Sequence, residues 1–423
     1  MRPAAFRVLP LVVSLVLAVP AGAFAADPPL PMAAPESQGF DAERLARLDA
    51  RMKQMVDEGR HAGLVLLVAR GGRVVDLQAW GLRDREQKLP MELDTIVRIY
   101  SMSKIVTSVA VMQLVEQGRL KLDDPVEKFL PQLAKPKVWA GGTSKKPVLV
   151  AAKRSVTIKH LLTHTSGYRY ANMYTKGELD DLYAAIELLE AKTLDEAVAK
   201  FAKMPLAFQP GDRFNYGLGL DILGAVVQKV AGQPFAEYVA EHVTGPLGMK
   251  DTGYAVPAEK RGRLAKIYTT NKDGALEAAD STAMTHADGN GPAWGGAGMF
   301  STIGDYARFG QMLLNGGELD GVRVLGRKTV ELMQANHLNH MARSTTQWSE
   351  ADGFGLGGAV RTDLAKGNAL GSVGQFGWTG AATTYFNMDP KERTLLLVFT
   401  QHFPHNQHEV FQQASTLFYA AIE

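Results

Sequence analysis

The most convincing strand patterns in this chain lie at its two ends, with most of the residues between them. Residues 64–69 and 74–80 flank a Gly71-Gly72 turn, and residues 382–388 and 395–399 flank Pro390-Lys391-Glu392. Two strands cannot bury a face alone, so each hairpin needs more strands or a helix against it. The economical solution joins them. Residues 41–58 carry an apolar stripe of Leu45, Leu48, Met52, Met55 and Val56, and a last helical pattern covers about 409–421. The expected class is α/β (more strictly α+β): one antiparallel sheet built from both chain ends, flanked by helices, with a mainly helical domain inserted.

The intervening stretch supports the insertion. Thr193-Leu194-Asp195-Glu196 has the form of a capping box opening a short helix that Pro205 ends. Residues 221–231 close at Gly232, Pro234 opens another helix that stops near Gly245-Pro246, and 302–315 close at Gly316-Gly317. These boundaries give a sheet domain of 26–98 with 296–423, and a helical domain of 99–295. Residues 1–25 read as a signal peptide: Arg2 and Arg7, an apolar stretch over 8–21, then Ala23-Phe24-Ala25. The alternative, a membrane anchor, is opposed by Pro10 and Pro20. Export to the periplasm or medium is therefore expected.

Composition narrows the classes. With no cysteine among 423 residues, an exported fold must rely on its core instead of disulfides. A formal charge of +2 shows no bias toward nucleic acid or an anionic membrane surface. No later stretch is long and apolar enough to span a bilayer. No nucleic-acid partner, cofactor or metal is called for, and the oligomeric state is not legible.

Chemistry enters at Ser101-Met102-Ser103-Lys104, which opens an apolar helix running through Ile105, Val106, Val109, Met112 and Val115 to Gly118. Positions i and i+3 share a helix face, so the Ser101 hydroxyl and Lys104 amine become neighbours. A serine hydroxyl needs an adjacent base, and a lysine desolvated at a helix N-terminus can serve. The Ser101 N–H is then one candidate donor to an oxyanion. A shuffled chain of this composition would contain about one S-x-x-K by accident, so the motif depends on its context.

Two further segments supply that context. Pro210-Gly211 turns the chain before Phe214-Asn215-Tyr216-Gly217-Leu218, delivering the Tyr216 hydroxyl ahead of a helix. Beside Lys104 it could relay the serine proton; otherwise it is a ring that fills space. Phe376-Gly377-Trp378-Thr379-Gly380-Ala381-Ala382 leads into a strand, where glycines mark a close approach. Its edge could leave the Ala381 N–H as the second oxyanion donor; otherwise it is an edge blunted by small residues.

In this order, Ser101-x-x-Lys104, the Tyr216 motif and Trp378-Thr379-Gly380 resemble the serine β-lactamase and DD-peptidase superfamily. So do residues 160–167 (His-Leu-Leu-Thr-His-Thr-Ser-Gly), 246–249 (Pro-Leu-Gly-Met) and 295–302 (Gly-Gly-Ala-Gly-Met-Phe-Ser-Thr). The resemblance spans about 36–420 and implies the β-lactamase/transpeptidase-like fold. Leu218 stands where class C β-lactamases carry asparagine, and Trp378 where they carry lysine, so polar recognition of a lactam or peptide terminus is replaced by apolar surface. Together with Asp221 and Gly224, this departure resembles the β-lactamase-like carboxylesterases of family VIII. The implied activity is an exported serine carboxylesterase that forms an acyl-enzyme on short-chain esters. Ser101 is the nucleophile, Lys104 and Tyr216 the base, and Leu218, Trp378, Thr379 and Gly380 contact substrate. A β-lactamase or DD-peptidase, an acyltransferase and an inactive ligand-binding module are the alternatives.

Other signals read as structural. His402, His405 and His408 lack acidic ligands at metal spacing and are expected to be solvated, as are His337 and His340. His164 is expected to fix a loop. Gly353 to Gly358 lack the strand–helix setting of a dinucleotide loop and are expected to pass close to a neighbour. No G-x-S-x-G motif is present, against the α/β-hydrolase route to an esterase.

Overall fold

Strand β1 (Gly63–Arg70) is buried from Gly63 through Ala69, which explains why it reads as a continuous apolar run instead of an alternation. It needs cover on both faces, and it has it. The computed structural model describes residues 28–171, 176–279, 284–341 and 349–423; the expected signal peptide, 1–25, lies outside the described residues. The large sheet joins β1, β2 (Arg73–Asp84) and β3 (Leu89–Pro90) to β4 (Asp352–Phe354), β5 (Ala359–Arg361), β6 (Phe376–Gly380), β7 (Thr384–Asp389) and β8 (Thr394–Phe399). Its order is β4-β5-β6-β7-β8-β1-β2-β3, and every pairing is antiparallel. The two chain ends meet where β1 pairs with β8, Val65 opposite Phe399 and Leu67 opposite Leu397.

Helices then cover both faces. The helices used below are α1 (Ala42–Asp57), α2 (Ser103–Glu116), α3 (Leu194–Phe201), α4 (Gly219–Ala231), α5 (Ile303–Leu314) and α6 (Val410–Ala420). Leu64, Leu66, Val68, Leu396 and Val398 face α1 and α6, meeting Leu48, Met52, Phe411 and Phe418. The alternate residues Val65, Leu67, Leu395 and Leu397 face the second core, which contains Tyr306, Phe309 and Met312 of α5 together with α2 and α4. Each such fully buried side chain contributes about 1.5–3 kcal/mol.

Three local results differ from the sequence reading. Thr193 does cap α3 by accepting the Glu196 N–H, but the Glu196 carboxylate accepts from Lys192 N, one residue outside a true capping box. The mainly helical stretch also holds an outlying hairpin, Lys137–Gly142 with Pro147–Ala151. A small sheet pairs Tyr268–Thr270 with Leu276–Ala278 and His402–Phe403. Both are short pieces completed by distant segments, so local pattern underweights them. Among the described residues no helix is long and apolar enough to cross a membrane.

Candidate active site

Helix α2 is the axis of the site. Every residue from Ser103 to Leu114 is buried, so it has no solvent face to tell its orientation from sequence. It starts slightly later than the motif suggests: Ser101 lies in a single 3-10 turn, Tyr100–Met102, and α-helix begins at Ser103. Tyr100 has φ 42°, a left-handed conformation that costs a non-glycine residue about 1–3 kcal/mol. Packing offsets the strain, because the Tyr100 ring meets Phe403 edge-on at 5.8 Å and joins an apolar cluster with Ala297 and Ala382. This turn lifts the half-buried Ser101 out of the helix while keeping it one turn from Lys104.

Lys104 is fully buried. Its Nζ lies 3.1 Å from Ser101 Oγ, 3.2 Å from Tyr170 Oη and 2.6 Å from the Gly296 carbonyl oxygen. Burial lowers its pKa to about 7, against the opposing pull of Asp221. Asp221, in the first turn of α4, accepts from Tyr170 Oη at 3.1 Å and from Gly296 N at 2.8 Å. Burial pushes the Asp221 pKa up, opposed by the Lys104 charge and by these donors.

Counting hydrogens orients the amine. A neutral lysine has two N–H bonds and one lone pair. One N–H must go to the Gly296 carbonyl, which can only accept. Tyr170 spends its hydrogen on Asp221, so toward Lys104 it can only accept, and it takes the second N–H. In that neutral form the lone pair is what remains for Ser101 Oγ, whereas the protonated amine donates to it. Gly296 has to be glycine, since a Cβ there would lie 2.6 Å from Asp221 Oδ2.

Tyr216 approaches from the other side. Its phenol oxygen bonds to Ser101 and receives the Trp378 indole N–H at 3.2 Å, while Lys104 Nζ stands over its ring, 4.7 Å from the centroid. The expected proximity to Lys104 is thus to the ring face, and the hydroxyl contact is with Ser101. Burial raises the Tyr216 pKa, keeping it a neutral phenol. His164 holds this loop, as expected: its carbonyl accepts Asn215 N at 2.8 Å and its Nδ1 accepts Gly217 N at 3.2 Å, bracketing Tyr216. Burial keeps the His164 ring neutral, so Nδ1 can accept.

Strand β6 brings the third motif. The end of β6 abuts the Ser101 turn so closely that a Cβ on Gly380 would lie 2.4 Å from the Ile99 carbonyl. Among the described residues neither the Ser101 nor the Ala381 N–H donates to another protein group. Trp378 is buried, tilted against Tyr216 at 5.3 Å and edge-on to Phe354 at 5.2 Å. It therefore acts as a hydrogen-bond donor to Tyr216 as well as an apolar wall. Thr379 points the other way along the strand, and its hydroxyl meets His405 Nε2 at 3.0 Å, not the serine. Leu218 is buried beside Tyr170.

Of the histidines expected to be solvated, His340 and His405 are exposed, but His402 is not. His402 is fully buried, and its ring lies 5.2 Å from those of His61 and His408, with burial lowering the pKa of all three. The strand after β8 carries His402 inward, which the period-three spacing could not convey. The Gly353 to Gly358 segment does pass close to a neighbour: a Cβ on Gly357 would lie 2.1 Å from Ser108 Oγ of α2.

A family model described as Beta-lactamase matches residues 48–420, nearly all of the described fold. The chain belongs to this family. Within the β-lactamase family it is 36% identical over 292 residues to esterase EstB of Burkholderia gladioli, covering 65% of this chain and 71% of EstB. The solved structure of EstCE1, described as a hydrolase with promiscuous acyltransferase activity, superposes with a TM-score of 0.75 at 28% identity, covering 89% of this chain and 99% of EstCE1. Unliganded selenomethionyl simvastatin synthase (LovD) from Aspergillus terreus gives 0.79 at 26% identity, covering 90% and 99%. The chain is a serine hydrolase of this β-lactamase-like family, related to its carboxylesterases.

Two members of the constellation escaped the sequence as functional groups, and a third was seen only as a family marker. Tyr170 carried no signal, being one of several tyrosines in a loop. Gly296 lay in a motif already singled out, but its carbonyl role is a backbone property. Asp221 had a readable signal: a lone carboxylate in the otherwise apolar Gly219–Ala231 helix must find buried donors.

Proposed function

We propose that this protein hydrolyses short-chain carboxylic esters through an acyl-enzyme on Ser101. The observation that carries the reading is the fully buried Lys104, its pKa lowered to about 7 by burial, with Nζ 3.1 Å from Ser101 Oγ. Ser101 Oγ attacks the ester carbonyl carbon as its proton passes to Lys104 Nζ, and the Ser101 and Ala381 N–H groups receive the oxyanion. Collapse breaks the bond to the alcohol oxygen. That oxygen takes the proton from Lys104, assisted by the Tyr216 hydroxyl beside Ser101, and the acyl group stays on Ser101. Water, deprotonated by the same base, then releases the acid and restores the serine. An added alcohol in place of water would give acyl transfer, a course supported by the likeness to EstCE1 and LovD. Leu218 and Trp378 in place of amide- and carboxylate-binding groups support an ester over a lactam. The leader-like residues 1–25 support action in the periplasm or medium.

Ser101→Ala is the test. It should abolish hydrolysis of p-nitrophenyl butyrate and labelling by a fluorophosphonate, with thermal unfolding unchanged. Retained turnover in a folded Ser101→Ala protein would exclude the mechanism.

A further inference from the structure

A cavity of about 460 Å³ opens against Tyr170, the residue that hydrogen-bonds Lys104. Its wall starts at Tyr170 and Leu218 and continues over Tyr183, Leu188 and Met204. Tyr183 offers only its ring, because its hydroxyl is spent on the Pro205 carbonyl at 2.6 Å. The volume is in the range of pockets that enclose whole small ligands, and exceeds what an ethyl or propyl group can fill. The rim differs from the wall. Glu187 and Glu190 border the cavity and are exposed, and among the described residues no cation pairs with either carboxylate. The ammonium of Lys200 is held instead by the backbone carbonyls of Ile186 and Glu187, at 3.1 and 2.8 Å. The nearby Arg169 and Asp180 pair with each other.

Position indicates which half of an ester enters. The leaving oxygen must meet the proton carried by Lys104 and Tyr216, and the cavity begins at Tyr170, which touches Lys104, and at Leu218, two residues after Tyr216. We propose that this cavity receives the alcohol half of the substrate, that this half is bulky and apolar, and that the Glu187 and Glu190 carboxylates favour a cationic or neutral group over an anionic one. This rests on the ester-hydrolase reading and extends it to a substrate class. It adds a physical ground for disfavouring penicillins and peptide termini, whose carboxylates would meet two like charges.

Butyrate esters of ethanol, 3,3-dimethylbutanol, choline and 3-sulfopropanol separate the contributions. Choline and 3,3-dimethylbutanol share a shape and differ by one charge. The 3,3-dimethylbutyl ester should exceed the ethyl ester in kcat/KM by about tenfold or more, as four extra buried carbons allow. The choline ester should exceed its neutral isostere by roughly fivefold at low salt, the sulfopropyl ester should trail it, and added salt should shrink both differences. In the double variant Glu187→Gln/Glu190→Gln the choline-to-dimethylbutyl ratio should fall toward one. That ratio does not depend on the fraction of folded enzyme. A ratio unchanged by the double variant would overturn the acidic-rim assignment. Equal rates for ethyl and dimethylbutyl esters, or a size preference seen only when the acyl half is enlarged, would overturn the alcohol-pocket assignment. If no ester is turned over in a Ser101-dependent manner, the hydrolase reading itself fails and this inference falls with it.

Discussion

Replacing Asp221 with asparagine probes the proton arrangement around Lys104 more sharply than removing the lysine. The two charged groups are separated by one tyrosine hydroxyl, 3.2 Å from the amine and 3.1 Å from the carboxylate. At a separation of about 6 Å and an effective dielectric constant of about 20, unit charges attract by about 3 kcal/mol, or about two pKa units. In the native site burial lowers the Lys104 pKa to about 7 while Asp221 holds it up. Losing a negative neighbour can only lower it further, so the acid limb of kcat/KM in Asp221→Asn should move down toward about 5. The plateau should fall as well. An asparagine oxygen still accepts the Gly296 N–H, but its amide N–H then points at Tyr170 Oη and turns the tyrosine hydrogen toward Lys104. That hydrogen competes for the lone pair that takes the serine proton, costing about 10- to 100-fold above pH 8. The loss should therefore be smaller at pH 6 than at pH 9. The assay is kcat/KM for p-nitrophenyl butyrate from pH 4.5 to 9.5, with thermal unfolding at each pH. An acid limb that stays put or rises in a folded variant would refute the coupling between Asp221 and Lys104.

Lys104→Arg should cost about a thousandfold or more in kcat at every pH, because a guanidinium stays protonated and cannot accept from Ser101; near-native turnover would move the base to Tyr216. Trp378→Phe removes the indole N–H that Tyr216 Oη accepts, and should lower kcat about tenfold, the worth of one buried hydrogen bond. An unchanged kcat would reduce Trp378 to a wall.

The ends of the chain were legible because their physics is local. The 64–69 and 395–399 runs are continuous apolar segments of strand length, and such segments must be covered on both faces. Helices α1 and α6 advertise their one buried stripe in the same way. The convergence of Ser101, Lys104 and Tyr216 was legible for a different reason: these residue types in this order resemble one family's arrangement, and the structure brings them together. Asp221 was only half legible, as a charge stranded in an apolar helix.

What tertiary structure decided is direction. Sequence spacing puts Lys104 one turn from Ser101, but it cannot aim a lone pair. The aim comes from the Gly296 carbonyl, 192 residues away, and from Tyr170 held by Asp221. The same limit explains why His402 was not expected to be buried: a spacing of three says nothing about a strand that carries it inward onto His61. Local pattern reports which face of a segment prefers to be dry. Which hydrogen each polar atom spends, and on whom, is settled only when segments far apart in the chain are packed so closely that every buried donor must find its acceptor.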